Sequence, residues 1–566
     1  MSVSAPLLTP VPRPRFRFRG QPDRGYLFGA GLVALTVILP IAALAVIALS
    51  GRSTNWAHLA QTILPEASQV TLLLMLGIAV VAGTTGVVTA WLVATFQFPF
   101  RRTFAWALVL PLAVPTYIAA YCFVEFLHFT GPVQGAIRAL FGFETRRDYW
   151  FPDVRSLGGA VFVLSSVLYP YVFLTARMVF VMQGRKAGDV ARTLGASRAA
   201  VFFKILLPMA RPAIAVGIAL ALMEAINDIG AVEFLGVRTL TFAVYSTWLN
   251  RGDLQGATQI ALMMLGVIVL LVLVERLARR QQRFNIHRGD RPQVGRESLA
   301  GWKAIAAALV CLLPIVAGFG IPLYILGDYA LSRLYQLGDP QLWRALRNTV
   351  MIAGSAGLMT VVAGFFMAYG IRLTRSHRLA SLVRVGALGY AVPGTVLAIG
   401  ILIPLAAFDN FVDARLREWF GISTGLLLSG SGFAIVYACF VRFMAMGHGA
   451  IESGFSKLSP HLDMAARTLG RSPGATLRQV LLPLMRPALL TAFLLVFVDT
   501  AKELSATILL RPFNFDTLAT FVYAQTSRAA FEDGAVAALM IVLVGILPVM
   551  LLTRSILAEA EPGGSS

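Results

Sequence analysis

Apolar residues run in stretches close to the ~20 residues that a membrane-crossing helix needs, each ended by a short polar segment, and this pattern fills nearly the whole chain. The runs predict spans at 26–49, 69–95, 103–127, 157–181, 212–235 and 256–275, then at 302–327, 349–371, 382–406, 424–446, 486–510 and 535–553. That is about twelve helices, six on each side of a polar stretch at 279–301. Backbone inside a bilayer must satisfy its own hydrogen bonds, so spans of this length predict an all-α integral membrane protein. The first run, beginning near Tyr26, is too long for a signal-peptide core and lacks a small-residue cleavage site, so it reads as an uncleaved first helix.

The polar segments repeat. Ala191-Arg192-Thr193-Leu194-Gly195, followed by Leu206-Leu207-Pro208, returns as Ala466-Arg467-Thr468-Leu469-Gly470, followed by Leu481-Leu482-Pro483. Arg211-Pro212-Ala213 and Arg486-Pro487-Ala488 share that offset of 275, while Thr71 and Thr349, Val114-Pro115 and Val392-Pro393, and Tyr245 and Tyr523 pair at 278. Two homologous halves have been fused. An even number of crossings per half gives both the same orientation, related by a pseudo-two-fold axis along the membrane normal, with the path expected between them. The predicted organisation is a tail at 1–25, a first half at 26–278, a linker at 279–301, a second half at 302–555 and a tail at 556–566. Arginines crowd the linker and make it a flexible polar joint.

Composition agrees with the pattern: hydrophobic residues make up 57% of the 566 and charged residues 13%, with a mean hydropathy of +0.74. The formal charge of +20 would point to nucleic acid in a soluble protein. Here it fits loops that face anionic lipid and a partner. Basic loops stay inside. Arg13, Arg15, Arg17 and Arg19, with the loops around Arg101-Arg102, Arg185 to Arg211, Arg279 to Arg296, Arg372 to Arg384 and Lys457 to Arg486, predict cytoplasmic termini.

Catalytic chemistry finds no foothold. The cysteines Cys122, Cys311 and Cys439 lie in or beside apolar runs without metal-ligand spacing, the six histidines are scattered, and no phosphate-binding glycine loop, nucleophile elbow or carboxylate pair of a hydrolase occurs. The expectation is a protein that is not an enzyme, binds no cofactor and holds no fixed metal.

The segments Asp189-Val190-Ala191 to Pro208 and Met464-Ala465-Ala466 to Pro483 resemble the EAA loop of permease subunits of binding-protein-dependent ABC importers: Glu-Ala-Ala, three residues, Gly, nine residues, Ile-x-Leu-Pro. The resemblance implies the type I importer permease fold, ATP hydrolysis on two separate cytoplasmic ATPase subunits, and a periplasmic binding protein that delivers the cargo. It also implies that Asp189, Ala191, Arg192, Gly195 and Pro208, with Ala465, Ala466, Arg467, Gly470 and Pro483, form two helices that dock on those ATPases. Small residues there allow close approach, and the proline opens a new helix. Asp189 keeps the acidic first position and Met464 does not, so the first copy is expected to grip electrostatically and the second by packing.

Cargo is read from acidic residues inside the spans. Glu224 and Asp228 lie four apart on one helix face, with Asp499 and Glu503 as counterparts. Carboxylates at such depth are costly and face a polar path or a partner; four around one axis would attract a cation, and hard ions prefer oxygen. Structural pairing with Lys502, Arg238 or Arg511 is the competing reading. Tyr245 and Tyr523 read as membrane anchors before path residues. Pro115 and Pro393, with Gly394, read as harmless kinks slightly ahead of gate residues. Asn227-Asp228-Ile229-Gly230-Ala231 with Arg238-Thr239-Leu240-Thr241, and Lys502 to Thr507 with Arg511 to Thr520, resemble fused ferric-iron permeases. Thiamine, polyamine, sulfate and phosphonate importers use similar permeases, and a secondary transporter is the alternative of another class.

Overall fold

The computed structural model describes residues 23–51, 53–280, 297–374, 376–459 and 461–560, with backbone alone at 182–192, 198, 274–280, 467, 473 and 551–560. Most of the expected tails and linker lies outside the described residues.

Helices dominate, as the apolar runs require. We number those of the first half α1 (Asp23–Leu49), α2 (Trp56–Thr95), α3 (Thr116–Leu127), α4 (Leu157–Thr193), α5 (Ala199–Asn227) and α6 (Leu254–Arg280). Those of the second are α7 (Trp302–Ser332), α8 (Pro340–Thr374), α9 (Gly394–Phe420), α10 (Phe433–Lys457), α11 (Gly474–Ala501) and α12 (Phe531–Ala560). Among the described residues eleven helices are long and apolar enough to cross a membrane, and α3 with the helix before it forms one further, broken span. The two copies of the repeat make matching hydrogen bonds: the Thr71 hydroxyl accepts from Leu240 N at 2.9 Å, and the Thr349 hydroxyl from Leu518 N at 2.8 Å.

Each half lends its first helix to the other. α1 lies along α9 and the short helix His377–Gly386, while α7 lies against α3 and α4. Backbones touch at these crossings. A Cβ on Gly400 would come 2.3 Å from Pro40 O, and one on Gly318 2.1 Å from Ser166 O. Small residues allow such approaches where lipid supplies no hydrophobic drive between helices. The outward faces stay apolar, as Phe28, Leu32, Leu35 and Leu49 on α1 illustrate, and fit hydrocarbon rather than water. A two-residue parallel strand pair, Phe96–Gln97 with Glu297–Ser298, fastens the start of the second half to the first.

Four expected spans are interrupted. The run at 103–127 bends by 95° between Ala113 and Thr116, the run at 212–235 stops at Asn227, and that at 486–510 stops at Ala501. The run at 382–406 turns at Val392-Pro393 before α9 begins. All four breaks lie beside the interface of the halves.

Candidate functional site

Asp228 and Glu503 explain how the helices break. Asp228 takes an extended conformation (φ −85°, ψ 99°), ends α5, and caps the short helix Ile229–Phe234 by accepting from Ala231 N at 2.9 Å. Glu503 follows the end of α11 and caps Thr507–Leu510: Oε1 accepts from Ala506 N at 2.9 Å, and Oε2 from Thr507 N at 3.0 Å and the Thr507 hydroxyl at 2.8 Å. The four-residue spacing from Glu224 to Asp228 thus does not describe one continuous helix face. Irregular backbone at membrane depth is tolerated where it lines a cavity.

A cavity is what these breaks surround. Glu224, Asp228, Asp499 and Glu503 all line it, together with Pro115 at the bend before α3. Pro115 is therefore more than a harmless kink. Two cations share the space: Arg442 Nη1 lies 2.8 Å from Glu503 Oε1, and Lys502 Nζ lies 2.8 Å from Asp499 Oδ1. The Arg442–Glu503 pair is almost fully buried, with side chains 7% and 2% exposed. Structural pairing therefore holds for the second-half carboxylates. Arg238 and Arg511 pair elsewhere, with Glu66 and Asp516. Glu224 and Asp228 join no ion pair among the described residues, and Asp228 Oδ2 is buried without a hydrogen-bond partner. Four carboxylates against two cations leave the lining a formal charge of −2.

No group of three or more His, Cys, Asp or Glu among the described residues is gathered tightly enough to hold a metal ion. The cavity offers dispersed negative charge. Arg442 escaped the sequence reading because it sits in an apolar run, although a lone arginine inside a predicted span is itself a signal of a buried partner. Tyr117, Tyr171 and Tyr390 also line the cavity and carried no signal, since tyrosine is common in membrane helices.

At the cavity wall the halves are joined. Gly394 N donates to Asn227 Oδ1 at 2.7 Å, and the Ser505 hydroxyl to Asn227 O at 2.6 Å. Tyr245 and Tyr523 are not lipid anchors: their hydroxyls meet at 3.1 Å across the interface, and Tyr523 donates to Glu233 Oε2 at 2.7 Å.

The repeated Ala-Arg-Thr-Leu-Gly segments lie between α4 and α5 and between α10 and α11, the second forming the helix His461–Thr468. Gly195 (φ +86°) and Gly470 (φ +76°) end the two helical stretches in left-handed conformation. Nothing in the chain lies within 4 Å of a Cβ placed on either, and the left-handed conformation by itself favours glycine. Leu194 and Leu469 precede them, 82% and 80% exposed. Ala466 is buried and Ala465 exposed, and Pro208 and Pro483 stand in the first turns of Leu207–Asn227 and Leu482–Ala501. The side chains of Asp189, Ala191, Arg192 and Arg467 lie outside the described atoms. Below the second segment Arg372, from the end of α8, reaches Asp463 Oδ2 at 2.9 Å and the carbonyls of Phe455 at 3.2 Å and Ser459 at 3.0 Å.

Known proteins are similar to this chain in sequence. Residues 82–283 match the family described as binding-protein-dependent transport system inner membrane component. The Fe(3+)-transport system permease protein FbpB 2 of Haemophilus influenzae is 25% identical over 86% of this chain and 88% of its own length. A putative ferric transport system permease protein, FbpB 1, of the same organism is 24% identical over 71% of this chain and 63% of its own. A putative 2-aminoethylphosphonate transport system permease protein, PhnV, of Salmonella paratyphi A is 27% identical over 38% and 74%.

Proposed function

We propose that the chain is a multi-pass inner-membrane permease subunit of an ABC importer and that its cargo is ferric iron. One observation carries the choice of cargo. Both cationic side chains in the cavity are already spent on Asp499 and Glu503, whereas Asp228 and Glu224 are not neutralised by an ion pair. An arriving cation meets available carboxylate oxygen, which hard ions prefer. A sulfate or phosphonate would meet no uncommitted cation and would face a lining of net negative charge. The ferric permeases among the relatives support the same reading.

The remaining parts follow the importer plan. A binding protein delivers iron on the side of Tyr245 and Tyr523, and separate ATPase subunits, which carry the ATP, dock on the exposed Leu194 and Leu469 segments. The arginine-rich loops support a cytoplasmic position for those segments and both termini. ATP-driven closure of the ATPases pushes on the two segments and rocks the halves, opening the cavity to each side in turn. A secondary transporter would have no use for paired docking segments.

Reconstitution in proteoliposomes with an ATPase and a binding protein tests the reading. ATP-dependent accumulation of radiolabelled iron is the expected result; accumulation of 2-aminoethylphosphonate or sulfate with none of iron would overturn it.

A further inference from the structure

The two halves line the cavity with unlike residues at equivalent positions. At the repeat offset of 275, Val167 stands where Arg442 stands and Asn227 where Lys502 stands, while Glu224 and Asp228 match Asp499 and Glu503. Both cations therefore come from the second half, and both carboxylates there are neutralised by their own half. Among the described residues no arginine of the first half lines the cavity beside Asp228.

Two polar atoms of the first half are left unmet as a result. Asp228 is 8% exposed and its Oδ2 makes no hydrogen bond of ordinary geometry, although the Thr116 hydroxyl lies beside the carboxylate; Tyr117 is 3% exposed and its hydroxyl has no partner. Both residues line the cavity. Leaving such groups unsatisfied costs about 1–3 kcal/mol each, so a well-packed chain retains them where something else completes their bonding. A cation would do so for both, the carboxylate by charge and the phenol through its oxygen lone pair.

Resting on the ferric-iron reading, we propose that Asp228 and Tyr117 form a one-sided transit subsite for the cargo cation, and that the second half supplies a fixed wall in which Arg442 occupies the cation's place against Glu503. Two oxygen donors hold an ion loosely. That suits a site that must release its cargo on every cycle, and it agrees with the absence of a chelating cluster among the described residues.

Conservative variants separate ligand from scaffold. Asp228→Asn keeps an oxygen to cap Ala231 N and removes only the charge. Tyr117→Phe removes a hydroxyl that bonds to nothing in the protein, so without a ligand role it would leave stability equal or improved. In the full transporter with its ATPase and binding protein, the double variant is expected to lower ATP-dependent iron uptake about tenfold or more, as loss of a charge-assisted contact would, with assembly and thermal stability unchanged. Tyr169→Phe removes another unpartnered buried hydroxyl, one that does not line the cavity, and should leave uptake unchanged. Val167→Arg, which gives the first half the guanidinium of the second, should block uptake in an assembled transporter. Unimpaired uptake in the double variant, in Tyr117→Phe alone and in Val167→Arg overturns the subsite. If the unaltered protein moves no iron, the cargo reading falls separately; the same variants are then measured on the cargo it does move, and normal transport again overturns the subsite.

Discussion

Arg442 is the most exacting single residue in the molecule, because its charge and that of Glu503 are both sealed from water. Removing one member of a buried pair strands the other, at a cost of about 3–5 kcal/mol. Arg442→Met should therefore lower the thermal denaturation midpoint in detergent sharply, and Arg442→Met with Glu503→Gln should recover much of the loss, since glutamine can still cap Thr507. A double variant as unstable as the single one would show that the guanidinium acts through packing alone. The glycines obey a different rule. With open space around both, Gly195→Asn and Gly470→Asn should retain most transport because asparagine tolerates the left-handed conformation, whereas valine at either position should impair it. Equal loss with asparagine and valine would point to steric docking instead. Sequence disclosed the glycines through repetition but not their positive φ, since left-handed backbone and close approach favour the same residue.

At the scale of elements, the breaks were only partly legible. Val114-Pro115 and Val392-Pro393 declare themselves, because proline cannot continue a helix and restricts the residue before it. The breaks after Asn227 and Ala501 do not: Ile229-Gly230-Ala231-Val232 is as apolar as α5 itself, and only a side chain bonding to backbone three residues on, at Asp228, ends the helix. Periodicity cannot see a cap inside an apolar run. Arg372 is the complementary case, a basic residue that looked like loop charge and proves to join α8, the end of α10 and the helix His461–Thr468. The first half has Ala94 at the matching position 278 residues earlier. We expect Arg372→Ala to leave ATP hydrolysis largely intact while iron moved per ATP falls several-fold, measured together in proteoliposomes. An unchanged ratio would show that the clamp transmits no motion.

For the whole molecule, the repeat and the length of the apolar runs made the twelve-span reading accessible before any coordinates. The meeting of Tyr245 and Tyr523 was not accessible, because interfacial tyrosines serve both anchors and contacts and nothing local distinguishes them. Their contact lies on the side of the cavity away from the Ala-Arg-Thr-Leu-Gly segments, so alternating access requires it to part. Cysteines at both positions joined by a short bifunctional reagent should stop uptake while ATPase subunits still bind, and cleaving the link should restore transport; transport through the linked protein would place the moving gate elsewhere.

The exchange of first helices also sets a schedule. Pro40 rests on Gly400, a residue made about 360 positions later, which at synthesis rates of roughly 5–20 residues per second is a wait on the order of 20–70 s. α6 of its own half reaches the end of α1 earlier, through Gln255 and Gln259, but throughout that interval the face of α1 that meets α9 has only lipid against it. A nascent chain stalled before α9 would expose that surface to quality-control proteases, so the time to build the second half governs how much of the first survives.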